Sequence, residues 1–138
     1  MKIWLVNTNS NADNGNPNGF KFMLRQNRVS AFYDRKDTID KIMVGDLVLL
    51  YHNQNRIIAA GFALGNMLHD FEEVKSIEHS VDVNWIWKAV FDENYNPVNF
   101  IDRNDLSITT VMSTVNNVTS QVNGTKLLEL IGQRQRFL

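Results

Sequence analysis

The sequence predicts a small α+β domain in which short helices flank a mostly antiparallel β-barrel. Three observations carry this. Short β-prone runs recur along the chain between Gly/Asn/Pro-rich turns. Residues 81–88, Val-Asp-Val-Asn-Trp-Ile-Trp-Lys, alternate with the period of a half-buried strand. Apolar residues also fall at helical spacing near both ends of the chain. A length of 138 residues is expected to make one domain, 1–138, and 43% hydrophobic residues with 10% aromatics can fill its core.

Residues 2–7 give the first expected strand, around Ile3-Trp4-Leu5-Val6. Residues 8–19 read as a loop, because Asn and Gly tolerate left-handed backbone and Pro17 fixes a turn. Phe20, Met23 and Leu24 form the apolar side of a short helix, with Lys21, Arg25 and Arg28 on its other side. A second amphipathic segment runs through Ile39, Ile42 and Met43 to Val44, and Gly45 is placed to end it. Residues 46–51 and 57–64 are apolar strands joined by a polar connection of hairpin length. A polar, acidic stretch over 65–80 leads into the tryptophan strand, 81–91, and then a turn at 94–97. The stretch 107–122 stays open. Val111, Val115, Val118 and Val122 have helical spacing, yet so many Val and Thr favour a strand. Asn123 or Thr125 caps a last helix through Leu127, Leu128, Leu130 and Ile131. No internal repeat or domain boundary interrupts the chain.

Net charge is −1, so no global field draws the chain to nucleic acid or to an anionic membrane. The charge is uneven, however. Residues 1–41 carry seven Lys/Arg against four acids, residues 42–102 three against nine, and residues 103–138 four against two. Basic ends around an acidic middle permit a local basic face. The absence of cysteine excludes thiol catalysis, disulfides and cysteine-based zinc sites. His52, His69 and His79 lack metal-ligand spacing, so no metal and no cofactor are expected. No Ser-His-Asp grouping, phosphate-binding glycine loop or dinucleotide fingerprint occurs, and Glu72-Glu73 read as solvated. No apolar stretch approaches about 18 residues. A soluble, cytoplasmic protein without a membrane partner is the expectation.

Gly45-Asp46-Leu47-Val48-Leu49-Leu50-Tyr51-His52 with the second strand to Gly65, the run Val81–Phe91, the Asn96-Pro97-Val98 turn and the ending Gly124–Ile131 follow one another in the order and spacing of the YTH/EVE group. Over roughly residues 2–131 the chain resembles these domains of the PUA-like superfold. The resemblance implies a PUA-like barrel that reads a chemically modified base, flipped out of its strand into a pocket beside the barrel. It implies base contacts from Asn7, Thr8 and Asn9 at the end of the first strand, where Asn can pair bidentately with adenine. Stacking is expected from Phe32, Tyr33 and Trp87, with Tyr51 and Trp85 near the ligand face. Core packing is the plainer reading of Trp85 and Trp87, which share a strand face. Lys21, Arg25, Arg28, Arg35 and Lys36, before and within the two early helices, are the candidate phosphate contacts, because a reader must neutralise backbone charge. The expected partner is nucleic acid with a modified base, methylated in the first instance, DNA ahead of RNA. A fused or associated nuclease or NTPase of a modification-dependent restriction system is the further expectation.

The chain departs from the YTH pattern at the aromatic cage. Asn27-Arg28-Val29 stands where one cage tryptophan is usual, and only His69, Phe71 and His79 lie in the loop that supplies the other. Phe32, Tyr33 or Phe71 then substitutes, or the pocket prefers another base, or it binds none. Two further readings stand beside the reader. One is an ASCH-like hydrolase of modified nucleosides, which needs a Lys, a Thr and a Glu together, here Thr8, Lys21 and Glu78. The other is a protein-interaction module without nucleic-acid binding.

Overall fold

The computed structural model describes residues 1–8, 19–32, 39–52, 56–65, 78–109 and 115–135. Among these the elements are β1 (Ile3–Asn7), α1 (Gly19–Gln26), β2 (Arg28–Phe32), β3 (Leu47–His52), β4 (Arg56–Ala63), β5 (Glu78–Lys88), β6 (Ile101–Asp102), a one-turn 3-10 helix (Arg103–Leu106), β7 (Val115–Asn117) and α2 (Gly124–Gln135). The strands form one mixed sheet in the order β2-β5-β4-β3-β1-β7, with β6 paired to β4, curled into a half-barrel. Only the β1–β3 pairing is parallel among the described strands. The architecture is the expected α+β barrel with short flanking helices. No helix of the described residues is long and apolar enough to cross a membrane.

The central strands explain their own sequences. Ile3–Val6, Leu47–Tyr51 and Ile57–Ala60 are buried without alternation. Such continuous apolar runs are stable only where both faces of a sheet are covered. Alternation survives on β5, where Val81, Val83 and Trp87 are buried in the core while Asn84 and Lys88 are exposed. A bulge interrupts it. Trp85 pairs with Gly61 and Trp87 with Ala60, so Ile86 has no partner on β4. Gly61 permits this close approach. A Cβ there would overlap the Asn84 carbonyl oxygen and lie 2.8 Å from Val83 Cγ1.

One carboxylate fixes the parallel pair. Asp46, 6% exposed, accepts from the Lys2 backbone N–H (3.0 Å), the Trp4 indole N–H (2.9 Å) and the Met43 backbone N–H (3.0 Å). Burial opposes the charged form, but these bonds and the N-terminal amine outweigh it and hold the carboxyl below its ordinary value. The Leu47 N–H then donates to the Lys2 carbonyl, and β1 runs beside β3 in register from Ile3–Leu47 to Asn7–Tyr51. On the other side of β1, the Ile3 N–H donates to Thr119 Oγ1.

Several sequence expectations are corrected. The first helix stops at Gln26, and Arg28 opens β2 rather than projecting from the helix. Asn27 takes a left-handed φ of 55° and its carbonyl accepts from Val83 N–H, which turns the chain into pairing with β5. The second early helix does not reach Val44. Ile39 and Ile42 are buried beneath a short turn, while Met43 is exposed. The tryptophan strand begins at Glu78 and ends at Lys88, because pairing with β2 extends it beyond its apolar alternation. Val115–Asn117 is strand, so β-propensity wins over helical spacing there. In α2, Asn123 is the cap, its Oδ1 accepting from Lys126 N–H, and Leu128 faces solvent.

Asp46→Asn should lower stability by about 2–3 kcal/mol in urea unfolding at pH 7, since an amide nitrogen cannot accept from a buried donor. Because the Asp46 value is depressed in the fold, its stabilisation is present above the unfolded value and is lost as pH falls through the folded one. Asp46→Asn should therefore flatten the acid limb of the stability–pH curve. Trp87 is 4% exposed and its indole N–H has no hydrogen-bond partner among the described residues. An unmade buried bond costs about 1–3 kcal/mol, which offsets the volume lost in Trp87→Phe. That variant should melt within a few degrees of the parent, whereas Trp87→Ala should unfold it.

Candidate functional site

The C-terminal ends of β1 and β3 lie side by side and begin a line of polar and aromatic groups. The Thr8 N–H donates to the Tyr51 carbonyl (2.9 Å), and the Thr8 hydroxyl lies 3.2 Å from His52 Nδ1. The His52 ring packs on Phe20 of α1, with centroids 4.3 Å apart and planes tilted by 42°. Phe20 is followed by Phe91 at 5.7 Å, and Phe91 by Tyr95 at 6.2 Å. Burial, and then the charge of Arg56 across the hairpin, push His52 below its ordinary value. The imidazole is neutral at neutral pH and keeps one donor and one acceptor nitrogen.

The Phe20, Phe91 and Tyr95 part of this line forms the wall of an open cleft of about 260 Å³ between α1 and the segment after β5. Phe20, Lys21, Leu24 and Arg25 contribute from α1, where steps of three and four residues share a face. Lys88, Ala89, Phe91 and Tyr95 contribute from the other side. None of these eight residues is acidic, and three are cationic. Lys21 Nζ stands 3.8 Å from the Tyr95 ring centroid, and the Arg25 guanidinium lies 5.9 Å from that of Phe22. A near-neutral chain thus concentrates positive charge beside exposed aromatic surface.

The sequence-derived residues divide into groups. Lys21 and Arg25 line the cleft. Thr8 is buried at the end of β1, with Asn7 half-buried before it. Tyr51 and Trp87 are in the core. Trp85 is half-buried beneath α1, its indole N–H donating to the Met23 carbonyl (3.2 Å). Arg28 opens β2 opposite Asp82, with its guanidinium donating to the Gln26 side chain. Asn9, Tyr33, Arg35 and Lys36 lie outside the described residues, as do His69 and Phe71, and Phe32 is described in its backbone alone. Thr8, Lys21 and Glu78 do not converge. Glu78 opens β5 while Lys21 sits by Lys88 at its other end, roughly 30 Å away at about 3.3 Å per residue. Among the described residues no group of His, Asp and Glu could hold a metal.

Sequence reasoning missed Phe20, Lys88, Phe91 and Tyr95 as cleft residues. Phe20 registered only as the apolar side of the first helix and Lys88 only as the end of the alternating run. Tyr95 left one signal, a bulky ring inside Asn-Tyr-Asn in a segment that reads as a turn.

Comparison with solved structures shows the fold. The YTH domain-containing protein mmi1, in complex with RNA, superposes with a TM-score of 0.59 at 11% identity, covering 99% of this chain and 85% of that one. The Pho92 YTH domain in complex with m6A gives 0.56 at 11% identity, covering 98% and 86%. Rpa0253 from Rhodopseudomonas palustris gives 0.50 at 10% identity, covering 100% and 95%. No curated protein matches the chain. One family does match, over residues 10–115, which span α1 to β6 and all eight residues that line the cleft. The chain therefore belongs to the family described as Domain of unknown function (DUF8426) and carries it on a fold similar to that of YTH domains.

Proposed function

We propose that this chain is a nucleic-acid-binding module that captures a flipped, modified base beside its barrel and performs no chemistry on it. The observation that carries the nucleic-acid binding is the aromatic line that runs from His52, beside the end of β1, through Phe20 and Phe91 to Tyr95, edged by Lys21, Arg25 and Lys88. Unpaired nucleic acid is held by this combination, in which rings stack bases and cations follow the phosphates. The likeness to YTH domains, one bound to RNA and one to m6A, supports it. The base would enter at the end of β1, where Asn7, Thr8 and Asn9 read its edge, whereas the expected stacking by Phe32 is not carried over, because Phe32 pairs with Glu78 at the far end of β5. Arg28, Arg35 and Lys36 would add phosphate contacts to those of Lys21 and Arg25. RNA takes precedence over DNA here, since the ligands named for these YTH domains are RNA and m6A. DNA, presented to an associated nuclease or NTPase, is the second form.

Methyl burial alone supplies about 0.8 kcal/mol, roughly a fourfold preference. Tenfold discrimination needs about 1.4 kcal/mol and so requires ring contacts around the methyl group. Fluorescence polarisation at low and moderate salt against short RNA and DNA strands gives the test. Each strand carries one site unmodified or as N6-methyladenine, 5-methylcytosine, 5-hydroxymethylcytosine or N4-methylcytosine. A preference of tenfold or more for one modified strand is expected, with affinity falling steeply as salt rises. Flat, salt-insensitive binding across the panel would reject the reading. It would then favour a protein partner at the far end of the barrel, where Met43, Val44 and Leu64 are exposed.

A further inference from the structure

We propose that the cleft between α1 and the 89–95 turn is a nucleotide site in its own right, separate from the base pocket at the end of β1. A base of an unpaired strand stacks on the Tyr95 ring there, while Lys21 and Lys88 hold neighbouring phosphates. This rests on the nucleic-acid reading above and adds a second point of attachment to it.

Tyr95 carries the inference. Its φ is +61°, a left-handed conformation that a bulky side chain rarely adopts. Glycine or asparagine would suit that position better, and asparagine stands on both sides of it. The turn does not need the ring. Asp92 Oδ1 accepts from the Asn94 and Asn96 N–H groups, each at 2.9 Å, and its backbone bonds to Tyr95 and Asn96 close the loop. The core does not need it either, since Tyr95 is 48% exposed. An unfavourable backbone kept for an exposed ring points to function at the ring.

The surroundings define the ligand. Phe91 flanks Tyr95, and the ammonium of Lys21 lies over the ring. Lys88 makes no ion pair among the described residues and stands on the opposite wall from Lys21. At about 260 Å³ the cleft falls below the roughly 300–1,000 Å³ of sites for drug-sized ligands, so it takes one planar group. A base between flanking phosphates uses both the flat ring and the paired cations. An acidic peptide would use the cations alone. Displacing Lys21 from Tyr95 disturbs no core contact, because the phosphate replaces the ring as its partner.

The test uses fluorescein-labelled hexaadenylate, as RNA and as DNA, with wild type, Tyr95→Gly, Tyr95→Phe and Lys88→Ala. Glycine suits a φ of +61°, so Tyr95→Gly should melt no lower than wild type. It should bind hexaadenylate about 5- to 150-fold more weakly, the worth of one stacked base. Tyr95→Phe should retain affinity, and Lys88→Ala should lower the salt slope by about one phosphate's share. Backbone amide resonances of Lys21, Lys88 and Tyr95 should move together on titration. If Tyr95→Gly binds like wild type while the modified-base panel still binds, this site is rejected and the proposed function stands. If wild type binds neither hexaadenylate nor any panel strand, both fall. Displacement by hexaglutamate as effective as that by unlabelled hexaadenylate would reassign the cleft to acidic peptides and overturn the proposal.

Discussion

The buried carboxylate of Asp46 ties the two halves of the barrel together. Its three donors come from the start of β1, the indole of Trp4 and the turn that precedes β3. The first two are separated from it by more than 40 residues of sequence. A hydrophobic contact would tolerate slippage of β1 along β3, because both strands are apolar throughout. Three directed bonds do not. A one-residue shift would exchange the two faces of β1 and misplace Thr8 as well. The position of Thr8 against His52, and of His52 against Phe20, therefore follows from a residue at the opposite end of both strands.

What the sequence revealed depended on how local each determinant is. The β3–β4 hairpin and the tryptophan strand were legible because their apolar patterns are written within a few residues. The Gly45-Asp46 pair was recognisable as the start of a strand, but its role as a tie was not, since its partners are remote. The stop at Asn27 escaped notice because, of the residues beyond it, Arg28 and Val29, the first continues the helical spacing of Lys21 and Arg25. Only pairing with β5 decides that they are strand.

The cleft was harder still to anticipate. Its cations come from α1 and from the end of β5, which bulk charge cannot bring together. A net charge of −1 argues against nucleic acid when averaged over the chain. It says little about a face on which none of eight lining residues is acidic. The expected phosphate contacts Lys21 and Arg25 lie on that face because Phe20 and Met23, buried on α1, set its rotation. Arg28 misses it because the helix has already ended.

β1 is made early and sits between β3 and β7 in the finished sheet. On a ribosome adding roughly 5–20 residues per second, its partner Leu47 arrives seconds after Ile3, and Asn116, opposite Leu5, arrives on the order of 10 s later. Through that interval an apolar strand with two open edges waits in the nascent chain. The barrel can close only around β1, so a chaperone that shields this strand has more to act on here than in a protein whose neighbouring strands are also neighbours in sequence.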